Sequence, residues 1–145
     1  MTPTTHIATT TPAREHSRAR VTATAASLAA IGAALANLAI YAIARAGHVD
    51  FTVRLSDSAP WSTVSAGQIA AVSVVAVLVG AGVAWLANRR STRLLRWVQA
   101  TGVVIAVASA GAPLSVTAVD SAAKPLLALM HVVTGFAFLY GTRRR

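Results

Sequence analysis

The sequence contains no cysteine, which rules out disulfides, thiolate nucleophiles and cysteine-ligated metals. Charge is scarce too: charged residues make up 12% of the chain, and only four are acidic against thirteen Lys and Arg. Catalytic signatures are missing as well. There is no G-x-S-x-G elbow, no glycine-rich phosphate loop and no histidine spacing suited to a metal. No internal repeat is evident, which argues against an inverted-repeat transporter. The reading is therefore of a non-enzyme with no implied cofactor.

Apolar residues are what the chain has in abundance: 55% hydrophobic, with a mean hydropathy of +0.61. Four stretches carry no charge: Val21 to Ala44, Ser58 to Asn88, Trp97 to Val119 and Pro125 to Thr142. A helix needs roughly 20 apolar residues, at about 1.5 Å each, to cross a hydrocarbon core of about 30 Å. The sequence thus predicts an all-α membrane protein, a four-transmembrane-helix antiparallel bundle. Its helices are expected at about 21–44, 64–87, 94–114 and 122–140, within a domain spanning 21–141. The "GAP" at 111–113 should kink or end the third helix, because proline removes a backbone donor and clashes with the turn before it.

The net charge of +9 suggests nucleic acid at first sight, but its distribution points elsewhere. Arg14, Arg18 and Arg20 precede span one. Arg89, Arg90, Arg93 and Arg96 separate spans two and three, and Arg143, Arg144 and Arg145 form a basic tail at 142–145. The other side holds only Arg45, Arg54 and Lys124. By the positive-inside rule both termini are expected in the cytoplasm. The basic clusters then set topology and meet anionic headgroups, and no nucleic acid is expected as a partner. Tyr41 and Trp61 at the outer ends, with Trp85, Trp97 and Tyr140 at the inner ends, read as an interfacial aromatic belt. Twelve of the thirteen basic residues are arginine, and alanine and valine are abundant, as in a high-GC bacterial genome. A bacterial plasma membrane is the expected location.

Residues 1–20, threonine-rich and without apolar periodicity, are expected to form a disordered cytoplasmic tail. An arginine-bearing leader ahead of "AIA" at 42–44 also looks like a secretory signal, but its apolar segment is too long for one. The outer loop of 18 to 20 residues between spans one and two contains "FTVRL", which alternates like a strand, although an isolated hairpin would be marginal. Within it Asp50, Phe51, Arg54 and Asp57 are the residues singled out. Asp50, Asp57 and His48 match no calcium loop and read as solvated charges. Ser65 and Gln68 have the spacing of a capping box, and Asp120 or Ser121 is expected to cap span four.

An ionisable residue inside a span is a functional hypothesis by default, and His131, in "ALMHVVTG", is the one well inside. Helical rise places it near mid-depth, close in height to Asn37 of span one. Asn37 continues a small-residue face through Ala26, Ala30 and Ala33. One expectation is an interhelical hydrogen bond from His131 to Asn37, or to a backbone carbonyl, that locks the bundle. The other is a polar cavity in a small oligomeric transporter or channel.

The stretches "ANLAIYAIARAGHVDFTV" at 36–53 and "ALMHVVTGFAFL" at 128–139, within this four-span layout, resemble a domain-of-unknown-function family of small actinobacterial membrane proteins. The resemblance covers about residues 21–141. It implies a four-helix integral membrane protein, places Asn37, Asp50, Phe51 and His131 in the recognisable stretches, and implies no activity. A structural, interaction or accessory module in the lipid bilayer is expected, with a membrane-protein partner or a second copy of itself.

Overall fold

The computed structural model describes residues 13–143. Four helices carry the fold: α1 (Ala13–Ala46), α2 (Ala66–Arg90), α3 (Thr92–Ser115) and α4 (Ala123–Gly141). Each contains a segment long and apolar enough to cross a membrane. Three short strands, β1 (Thr52–Arg54), β2 (Ser62–Thr63) and β3 (Thr117–Ala118), come from the two connections at one end of the bundle.

Several boundaries differ from expectation for identifiable reasons. Helix α1 reaches back to Ala13, so residues 13–20, expected to be disordered, are helical; residues 1–12 of that tail lie outside the described residues. Helix α3 runs through Pro113 and ends at Ser115. Pro113 falls in the last turn, where its missing N–H deprives little more than the Ser109 carbonyl. The Ser65–Gln68 capping box is present: Gln68 N–H donates to Ser65 Oγ at 3.2 Å and Ser65 N–H to Gln68 Oε1 at 2.8 Å. Neither Asp120 nor Ser121 is the N-cap of α4. That position belongs to Ala122, which has no side-chain cap bond, and Asp120 Oδ1 instead accepts from the Ala122 N–H at 2.9 Å.

Packing inverts the pattern of a soluble protein. The buried face of α1 is almost all alanine, Ala26, Ala29, Ala30, Ala33 and Ala34, while Leu28, Ile31, Leu35 and Ile43 face outward. In lipid no hydrophobic force drives helices together, so small residues that permit close backbone approach form the interfaces. Gly141 of α4 illustrates this: a Cβ there would lie 2.9 Å from the Ala29 methyl. Helix α1 packs on α2 and α4, and α3 packs mainly on α4.

The strands form one antiparallel sheet in the order β2-β1-β3, pairing Thr52 with Thr63 and Val53 with both Ser62 and Ala118. The alternation in "FTVRL" is a strand, and the third strand that makes a sheet tenable comes from the α3–α4 connection. Phe51 is fully buried beneath it among Ala44, Ile69, Ala123 and Met130, with its ring 4.9 Å from that of Tyr41. Helix α1 ends in a Schellman motif: Val49 N–H donates to the Ala44 carbonyl and His48 N–H to that of Arg45, with His48 in the left-handed region at φ 64°.

Candidate functional site

The intramembrane polar residues separate into two arrangements. Asn37 is 1% exposed and its amide nitrogen reaches two other helices. Nδ2 donates to Ser73 Oγ of α2 at 2.8 Å, and to Thr134 Oγ1 and the Met130 carbonyl of α4 at 3.0 and 3.2 Å. The amide orientation follows from the partners. Ser73 Oγ–H donates to the Ile69 carbonyl and Thr134 Oγ1–H to that of Met130, so both hydroxyls offer only lone pairs to Asn37. Two hydrogens then serve three acceptors, one of them shared. Asn37 Oδ1, on the other side of the amide, is buried without a donor.

His131 makes a different kind of bond. Its Nδ1 lies 2.8 Å from the Leu127 carbonyl of its own helix. A carbonyl only accepts, so Nδ1 carries the proton and donates. The expected His131–Asn37 hydrogen bond is not formed. The Asn37 amide nitrogen is occupied by Ser73, Thr134 and the Met130 carbonyl, and His131 is turned back on α4. Ser73 and Thr134, its actual partners, were hidden in the sequence because a lone hydroxyl residue in a span normally satisfies itself on the preceding turn.

Next to this node, α2 and α3 diverge above α4 and leave a groove of about 1020 Å³. One wall is the α2 stripe Ile69, Val72, Ala76, Val79 and Val83; the other is the α3 stripe Trp97, Thr101, Ile105 and Ser109. Leu127, Met130, His131 and Thr134 of α4 form its floor, and Val53 and Val64 close the sheet end. At the opposite end the Phe138 ring is wedged between two glycines. A Cβ on Gly80 would stand 2.8 Å from Phe138 Cδ2, and one on Gly102 would meet Cε1 on the other edge of the ring. Ala106 closes on Gly135 in the same way, at 2.6 Å from where its Cβ would be.

The residues singled out in the α1–α2 loop make their contacts within the sheet and its connection. Asp50 Oδ1 accepts from the Thr52 N–H and hydroxyl at 2.9 and 2.8 Å, which fixes the start of β1. Arg54 pairs with Asp57 at 2.9 Å and lies over the Trp61 ring, and Asp57 is largely exposed. Asp50 and Asp57 are thus engaged separately, and among the described residues no group of three His, Asp or Glu stands ready to hold a metal ion. Of the arginines expected to set topology, Arg89 lies over Trp85 and Arg143 over Tyr140, while Arg90, Arg93 and Arg96 are exposed. Arg144 and Arg145 lie outside the described residues.

Comparison with curated proteins and with solved structures finds no match for the chain. Residues 17–145 match the family of unknown function DUF6069, and the chain, a protein with four helices fit to span a membrane, belongs to that family.

Proposed function

We propose that this protein is a multi-pass component of a bacterial plasma membrane, an antiparallel bundle with both termini cytoplasmic, acting as a structural or interaction module. The observation that carries this reading is the use to which Asn37 is put. Its donor hydrogens tie α1, α2 and α4 together, each such bond contributing on average about 0.6 kcal/mol in a membrane. His131 is bonded to its own helix and is not part of a chain of titratable groups crossing the bundle.

The antiparallel arrangement is supported by register: Gly141 meets Ala26 and Ala29 near one end of the α1 span, and Ala44 shares a cluster with Ala123 at the other. The orientation is supported by the arginines around the α2–α3 turn, opposite the sheet. The decisive experiment is reconstitution of the full chain in liposomes. Proton and monovalent-cation flux is expected to equal that of protein-free vesicles. A saturable flux abolished by Asn37→Ala or His131→Phe would overturn the module reading. Reporter fusions at Met1 and Arg145 should both read out on the cytoplasmic face.

A further inference from the structure

The groove between α2 and α3 has the composition of a ligand site: a volume of about 1020 Å³, no Asp, Glu, Lys or Arg in its lining, and a few polar atoms on an apolar surface. His131 lines it and is half-buried. Because Nδ1 donates to the Leu127 carbonyl, Nε2 is the ring nitrogen left to accept from another partner. Among the described residues that atom has no donor, and it is not one of the buried unpartnered atoms, so it is accessible. Depth narrows the choice of ligand. His131 lies about 12 Å from the start of α4 and about 15 Å from its end, which is the middle of a hydrocarbon core. A phospholipid keeps its polar head at the interface, and an anion would find no cation in the groove.

We propose that this groove binds a neutral, hydrocarbon-soluble molecule that bears a hydroxyl, the hydroxyl donating to His131 Nε2 and the apolar body lying along the α2 and α3 stripes. An acceptor without a donor is costly where there is no water, so a matching hydroxyl is favoured there over plain hydrocarbon. Ala76, small and exposed on the α2 wall, leaves the groove open beside His131 for the ligand body.

The test uses the full chain in phosphatidylcholine nanodiscs, with radiolabelled 4-dodecylphenol and its methyl ether as probes. The two have nearly the same shape, and only the phenol donates. Saturable binding of one phenol per chain is expected, with the ether about fivefold or more weaker, the worth of one hydrogen bond. His131→Phe keeps the bulk and removes the acceptor, so it should bring the phenol down to the level of the ether. The one bond that His131 makes among the described residues is within its own helix, so this variant leaves the packing between helices in place. Ala76→Trp adds bulk at an exposed groove position and should weaken both probes tenfold or more. No saturable binding to the wild type, equal binding of phenol and ether, or a phenol preference that survives His131→Phe would each overturn the proposal. So would a dimer that persists at saturating phenol and excludes it, which would give the groove to a second copy.

Discussion

Helices α1 and α3 both carry stripes of small residues, but they are built into the molecule differently. The α1 stripe is covered on two sides, by α2 and α4, and includes the Asn37 tie. The α3 stripe meets α4 through Gly102 and Ala106 and otherwise borders the groove, and the helix buries only Leu95 and Pro113. Small residues therefore permit close packing without dictating it. What distinguishes the two is a buried donor with partners on two neighbouring helices, which α1 has and α3 lacks.

That contrast can be broken most forcefully by adding bulk. Ala30→Leu, at a position 1% exposed, should destabilise the bundle by about 3 kcal/mol through overpacking. The same change at exposed Ala108 of α3 should stay within about 0.5 kcal/mol, with unfolding in mixed micelles as the readout. Gly102→Ala should cost about 2 kcal/mol, because the new methyl meets the Phe138 ring, and Phe138→Leu should recover much of that loss. Asn37→Ala should cost about 1 to 2 kcal/mol, the worth of its interhelical bonds, and should loosen α2 and α4 as judged by hydrogen exchange. The smallest effect sharpens the comparison: a double-mutant cycle between Asn37 and His131 should show coupling below about 0.3 kcal/mol, since they share no bond.

The number of helices, the role of Asn37's face and the Ser65 capping box were legible because each depends on local spacing or on bulk apolarity. The start of α1 was not. Its first residues are polar, and apolar periodicity says nothing about a helix that continues past the hydrophobic stretch. The sheet was half legible: Phe51 to Leu55 alternate visibly, but β3 is two residues long, and its pairing with β1 depends on how α3 returns the chain. The site failed for a related reason. Equal depth brought His131 and Asn37 together on paper, whereas the angular position of each residue about its helix, which composition does not encode, sent Asn37 to Ser73 and Thr134. The groove could not be read at all, since it is a space left between helices.

The sheet also has a consequence for biogenesis. Strand β1 pairs with β2 from its own loop and with β3 from the loop that follows α3. As the chain emerges from the ribosome, the first ladder is complete once the first pair of helices has been threaded, but the second must wait for another helix to be delivered. Until then one edge of β1 stays open, and Phe51 lacks the Ala123 and Met130 contacts that cover it in the finished molecule. Closure of that edge therefore marks the moment when the last hairpin has been inserted, and a chain halted before it presents an unpaired strand and an uncovered aromatic ring to quality control.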